Sequence, residues 1–134
     1  MDDVFVAQLM TSEPKTVRAD TLVEDAANLM LEDGIGSVLV VDDDDRLAGI
    51  LTNTDFVKIV AERKPKDETP VSEYMSTDLM TTDAQEPIEA VANRLLEAGI
   101  HHMPVVDDDG TPIGIITTTD LAAYVSTVYS PSPA

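Results

Sequence analysis

Two short motifs carry residue types from which a binding site could be built, Thr52-x-x-Asp55 and Thr117-x-x-Asp120. Each stands where an apolar, strand-like run gives way to a helix-like pattern. The plain structural use of such a motif is a capping box. Thr caps the helix, and Asp at the third helical position returns a hydrogen bond. The same geometry also suits a ligand. Unpaired N–H groups at a helix start favour an anion such as a phosphate. A carboxylate beside them can accept hydrogen bonds from a ribose diol. Gly49 and Gly114 precede each Thr by three residues, and would let a ligand approach the backbone closely.

The two motifs belong to a repeat. Gly34 to Phe56 aligns without a gap on Gly99 to Leu121, at an offset of 65. Gly34, Ile35, Val40, Val41, Asp42, Asp43, Asp44, Gly49, Ile50, Thr52, Thr54 and Asp55 are identical to their counterparts. The chain reads as two copies of one unit. Each copy has only about 60 residues, a size at which burial is marginal, so the copies are expected to share a core.

The elements that must position the motifs follow from periodicity. Val23, Ala26, Ala27, Met30 and Leu31 recur at helical spacing, as do Ile88, Val91, Ala92, Leu95 and Leu96. Thr21 to Glu24 fits a capping box for the first of these helices, and Pro87 takes the favoured first position of the second. Gly34 and Gly99 stand where a left-handed C-cap is wanted. Paired strands are predicted at Ser37–Val41 and Leu47–Leu51, then at Met103–Val106 and Ile113–Ile116. Their nearly continuous apolar residues predict cover on both faces. A short extended piece, Lys15 to Arg18, has its copy at Met80 to Thr82. Residues 4–10 form a weak helical pattern echoed by Val71 to Met75. A helix follows each Thr-x-x-Asp. The expected fold is α/β (α+β), tandem β-α-β-β-α units packed sheet to sheet with pseudo-two-fold symmetry. The expected boundaries are 4–62, a polar linker 63–70, 71–127, and a tail 128–134.

The chain has 134 residues and a formal charge of −18, with 26 acidic against 8 basic residues. That balance argues against nucleic acid or an anionic membrane as partner, since each needs clustered Lys and Arg. At 43% hydrophobic residues the chain is still not a disordered acidic tail. An ordinary core wrapped in carboxylates fits concentrated salt, where a Debye length of about 3 Å screens self-repulsion. A halophilic cytoplasm is the expected setting. Cysteine is absent, which removes disulfides, thiolate nucleophiles and cysteine zinc sites. The stretch MDDVFVAQLM lacks the basic n-region of a signal peptide, and no apolar run approaches the ~18 residues of a membrane span.

Other candidates read as structural. The runs Asp42–Asp45 and Asp107–Asp109 lack the alternating ligands and distal Glu of an EF-hand loop. They read as solvated hairpin turns. His101 and His102 are adjacent on a strand and point to opposite faces, so they cannot easily share a metal ion. A hydrolase would need a P-loop, H-E-x-x-H, G-x-S-x-G or a Cys nucleophile, and none occurs. No catalysis, resident cofactor or metal is expected. A binding module and a scaffold that only dimerises both remain open.

Gly49-Ile-Leu-Thr-Asn-Thr-Asp55 and Gly114-Ile-Ile-Thr-Thr-Thr-Asp120 each follow an acidic hairpin. With His102-Met-Pro-Val-Val-Asp107, they resemble the cystathionine-β-synthase (CBS) domain, here as a tandem pair or Bateman module. The resemblance covers roughly residues 4–127. It implies a regulatory, energy-sensing module that binds adenosine nucleotides in clefts between the two domains. Asp55 and Asp120 would hold the ribose, and Thr52 and Thr117 would lie by the ribose or phosphate. Thr16, Val17, Ser37 and Val38 would lie near the adenine in the first copy. Thr81, Thr82, His102, Met103 and Pro104 would do so in the second. Copy one departs from the pattern, with Leu39 in place of Pro104 and Gly36-Ser37 in place of His101-His102.

Asn53, Thr54, Thr118 and Thr119 flank the expected phosphate position, and none is basic. AMP or adenosine is therefore expected over ATP, with Arg18, Lys58 or a protonated His102 as the nearest cations. ADP, NAD and S-adenosylmethionine are further candidates. Apolar helix residues Val57, Val60, Tyr124 and Val128 predict a homodimer. A separate target protein would receive the signal.

Overall fold

The structure is a computed structural model that describes residues 4–128. The residues expected to form the tail lie outside it, apart from Val128. The chain divides into two compact units. The first comprises Pro14–Leu79 with the short turn Asp109–Pro112, and the second comprises residues 4–13, 80–108 and 113–128.

In the first unit, β2 (Thr16–Arg18) runs parallel to β3 (Ser37–Val41), which pairs antiparallel with β4 (Leu47–Thr52). Helix α2 (Val23–Asp33) and helix α3 (Asn53–Ala61) pack on this sheet. The 3₁₀ turn Val71–Glu73 completes the unit, and Ile50 bridges to Ser76 beyond it. The core is Val23, Ala26, Met30, Val38, Val40, Leu51, Ile59 and Val71. Every residue of β3 is buried, as its unbroken apolar run requires. The hairpin turn closes with Asp45 at φ 61°, a left-handed position that Asp tolerates. Asp42 accepts the N–H groups of Asp44 and Arg46 there (2.9 and 3.0 Å), so its carboxylate is used to shape the turn.

The second unit repeats the plan. It has α1 (Val6–Leu9), β1 (Thr11–Ser12), α4 (Ile88–Ala98), β5 (His102–Val106), β6 (Pro112–Thr117) and α5 (Thr118–Val128), with strand order β1-β6-β5. Its core is Val6, Ile88, Val91, Leu95, Met103, Val105 and Ile116. Gly34 and Gly99 end α2 and α4 in the left-handed conformation, at φ 63° and 65°.

The compact units cut across the sequence repeats. Residues 4–13 lead the first repeat yet pack in the unit of the second, and the segment around Val71 does the converse. The exchange is symmetric to the atom. Val23 N–H donates to Thr69 O (2.8 Å), and its counterpart Ile88 N–H donates to Val4 O (3.0 Å). Val71 N–H donates to Thr21 O (2.8 Å), as Val6 N–H does to Glu86 O (3.0 Å). Each leader thus supplies an acceptor to an orphan N–H of a helix start and a fully buried valine to the core.

Two expected helix starts are corrected. Thr21 does not cap α2. The cap is Leu22, and the Thr21 hydroxyl accepts the Arg18 N–H instead (3.1 Å). Linker carbonyls made that cap unnecessary, Lys66 O taking the Glu24 N–H (3.2 Å) beside Thr69 O. Pro87 is the N-cap of α4 rather than its first residue, with ψ 139°. The expected Met80–Thr82 strand reduces to a single bridge, Thr82 to Val105.

Candidate functional site

Both Thr-x-x-Asp motifs fold as capping boxes at the seam between strand and helix. Thr52 and Thr117 end their strands, and a helix begins at the next residue. Asp55 Oδ2 accepts the Thr52 N–H (2.8 Å) and lies 3.4 Å from its hydroxyl. Asp120 Oδ2 accepts the Thr117 N–H (2.9 Å), and Asp120 N–H donates to Thr117 Oγ1 (3.1 Å). The first helical N–H groups, of Asn53 and Thr118, donate to Gly36 O (3.2 Å) and His101 O (3.0 Å). What remains at each helix start is the N–H and hydroxyl of Thr54 or Thr119, both exposed, and the second carboxylate oxygen. No hydrogen bond among the described residues uses Oδ1 of either aspartate. Asp55 is only 5% exposed, so this oxygen without a partner belongs to a nearly buried side chain.

Strand register sorts the remaining candidates. Ser37 lies opposite Thr52, Thr16 opposite Leu39, and Val17 opposite Val40. Side chains alternate along a strand. Thr16, Ser37 and Thr52 therefore share one face, while Val17 and Val38 face the core with Val40. In the second unit Met103 and Val105 enter the core, and Thr82 is buried beside Val105. His102 and Pro104 alternate to the other face. Val17, Val38, Thr82 and Met103 can offer a ligand backbone groups only.

The electrostatics favour few anions. The Arg18 guanidinium bonds the Asp42 carbonyl and the Asp45 carboxylate (3.0 Å to the latter) and so serves the hairpin turn rather than a phosphate. Lys58 is exposed and forms no ion pair among the described residues. Burial and the neighbouring His101 push the His102 imidazole below its ordinary range, against a smaller upward pull from Asp120. Near neutrality His102 is uncharged.

The glycines do not face an open approach. A Cβ at Gly49 would lie 2.7 Å from Met75 Sδ and 3.1 Å from Ser76 O. At Gly114 it would lie 2.6 Å from Met10 Sδ and 2.9 Å from Thr11 O. The exchanged leaders, not a ligand, occupy the space the missing side chains leave.

One polar cluster escaped the motif reading. In the second unit Arg94 Nη1 donates to both oxygens of Glu86 (2.8 and 3.0 Å), and Arg94 Nη2 donates to Thr81 O (2.6 Å). The Thr82 hydroxyl donates to Glu86 Oε1 (2.7 Å). The repeat itself held the signal. Glu86 and Arg94 stand where the first copy has Thr21 and Leu29, so opposite charges appear together in one copy only.

The CBS domain model matches residues 6–62 and 71–127. The CBS domain pair of protein MJ0100, solved with 5′-methylthioadenosine and S-adenosyl-L-methionine, superposes with a TM-score of 0.86 at 26% identity, covering 93% of this chain and 98% of that one. The protein CBSX2, solved with AMP, superposes at 0.81 with 25% identity, covering 92% and 97%. The homoserine O-acetyltransferase of Methanosalsum zhilinae is 31% identical over 90% of this chain. The chain spans 75%, 52% and 24% of the length of the first curated relatives it matches. Two copies of one fold, each closing on a Thr-x-x-Asp box and each matched by the same family model, place this chain in the CBS family as a tandem pair of CBS domains.

Proposed function

We propose that this CBS pair is a non-catalytic regulatory module that binds AMP-like adenosine nucleotides at a half-site in each unit. The observation that carries this reading is the unused Oδ1 of Asp55 and Asp120, beside a free helix N–H, in both units. Such an oxygen can take a ribose hydroxyl while Oδ2 keeps the helix capped. Thr16 and Ser37 in the first unit, and Thr81, His102 and Pro104 in the second, form the base side. Thr54 and Thr119 meet the phosphate. The solved relatives bound to AMP, methylthioadenosine and S-adenosylmethionine support the ligand class. An energy-sensing role in the cytoplasm, acting on a separate partner, fits a module with no catalytic constellation among its motifs. The repeats 4–62 and 71–127, joined by 63–70, are the inherited units.

Calorimetric titration of the protein with AMP in molar KCl tests this. Saturable binding is expected. No heat and no thermal shift with AMP, ADP, ATP, NAD or S-adenosylmethionine would leave the boxes as caps alone.

A second reading, a dimerising scaffold, draws on exposed apolar helix residues. Val57 and Val60 on α3, and Val125 and Val128 on α5, stand at least half exposed. Tyr124 is not among them, because it packs against the core of its own unit. A homodimer through these valines is compatible with nucleotide binding, and light scattering in molar KCl tests it.

A further inference from the structure

The two units hold their base-side segments in different ways. In the first unit, β2 is a strand of three paired residues, and Leu39 N–H adds a bond to Lys15 O (3.1 Å). The counterpart of Leu39 is Pro104, which has no N–H. The bond that would reach Met80 O therefore cannot form. The second unit keeps only Thr82 N–H to Pro104 O (3.0 Å) and Val106 N–H to Thr82 O (2.9 Å). The segment entering that bridge, Met80 and Thr81, has lost its ladder anchor.

We propose that Arg94 is a positioning residue that replaces this lost anchor and fixes the base side of the second half-site. The guanidinium fork grips Glu86 and the Thr81 carbonyl together, and Glu86 grips the Thr82 hydroxyl. Three groups are thereby tied to α4. These are charge-assisted bonds, stronger than the neutral ladder bond they replace. The first repeat has an intact ladder and carries apolar Leu29 at this position, packed against its core. A charged clamp is thus present only where proline has removed the N–H. Arg94 itself need not touch the ligand. It sets where Thr81 stands, and the binding part of the proposal rests on the nucleotide reading above.

The test uses the full chain with Arg94→Leu, the residue of the first repeat, and Arg94→Lys. Lysine keeps the charge but cannot hold Glu86 and the Thr81 carbonyl in one planar fork. Amide hydrogen exchange, read without ligand, reports the clamp directly. Exchange at Thr82 and Val106 should rise about tenfold in Arg94→Leu, the scale of losing one charged hydrogen bond, and less in Arg94→Lys. Val17 and Val41 in the first unit should not change. Unchanged exchange at Thr82 and Val106 overturns the clamp. AMP titration in an Asp55→Ala background then isolates the second half-site, where Arg94→Leu should weaken binding about tenfold. Adding Pro104→Leu, which restores the N–H, should shrink that penalty. Faster exchange with unchanged AMP affinity would make the clamp structural only. If the parent protein binds no adenosine ligand, the nucleotide reading fails, and the exchange data still decide the clamp. Should Arg94→Leu fail to fold, Arg94→Lys carries both measurements.

Discussion

The two units share a frame and differ in what stands on it. Each has a capping box at the same strand–helix seam, and each has one aspartate oxygen left over. On the proposed base side the first unit has Ser37, nearly buried, on a continuous three-strand ladder. The second has His102 and Pro104 on β5, beside a Met80–Thr82 segment that side chains hold. In the proposed site the ribose end rests on capping-box geometry that both copies share. The base end is free to diverge, provided something else holds the strand.

Removing each carboxylate breaks the shared part of this comparison. Asp120→Ala should weaken AMP binding by about 10- to 100-fold, the range for charged hydrogen bonds to a buried ligand. Asp55→Ala should cost the first half-site less, because Ser37 offers a smaller contact than the imidazole of His102. Each variant also loses a cap, about 1 kcal/mol of stability. Titration and urea denaturation of both variants separate the two effects. Equal affinity in wild type and Asp120→Ala would reduce the motif to a cap.

The glycines sharpen the comparison next. Gly114→Ala brings a Cβ against a backbone carbonyl as well as a sulfur, whereas at Gly49 the carbonyl stands slightly further off. Gly114→Ala should destabilise by about 1–3 kcal/mol, as overpacking does, and Gly49→Ala by less, because the Met75 thioether can turn aside. Denaturation midpoints check the order.

Charge on the ligand gives a smaller difference. One free N–H at a helix end worth about half a charge can steady one phosphate and not three. AMP should bind about tenfold tighter than magnesium-free ATP at low salt, since the −18 chain repels each added charge. Molar KCl should narrow the gap. Tighter ATP binding at low salt would require a basic phosphate site.

The smallest effect lies with His102. Its folded form resists protonation, so the unfolded chain takes up the proton first as pH falls. Stability contributed by the neutral imidazole is full above its unfolded value near 6.5 and is lost as pH falls from there through the lower folded value. His102→Asn should flatten the decline in thermal midpoint between about pH 7 and pH 5.5. An identical slope in the variant would contradict the direction of the shift.

The elements themselves were legible because periodicity and punctuation agreed. Val23, Ala26 and Met30 mark the buried face of one helix, although Leu31, read with them, is exposed; the left-handed glycines ended the helices, and Ser37–Val41 showed its burial as an unbroken run. The boxes were legible too, since a Thr and an Asp three residues apart report a local geometry. Failures came where partners are distant in sequence. Thr21 has the right neighbours for a cap, but Thr69 and Lys66 carbonyls supply the acceptors from across the unit. Gly49 and Gly114 correctly signalled a close approach, yet nothing local distinguishes a ligand from Met75 or Met10. The resemblance implies Val17 and Val38 near the adenine, and the strand register turns their side chains to the core. Arg94 and Glu86 belong to no site motif, and their role shows only in the contrast of Pro104 with Leu39.

The exchanged leaders bear on ancestry. A lone copy of this repeat, cut at residues 4–62, lacks the Thr69 carbonyl that receives the first N–H of α2 and the Val71 side chain that fills its core. It can complete itself only with the leader of another copy. Two identical molecules would do so by reciprocal swapping. Joining them in tandem makes the swap intramolecular, at a concentration no free partner could match. By the same reasoning the smallest fragment with a whole core is residues 14–79, which begins and ends inside neighbouring repeats. A gene divided after residue 62 would separate the starts of α2 and α4 from their acceptors.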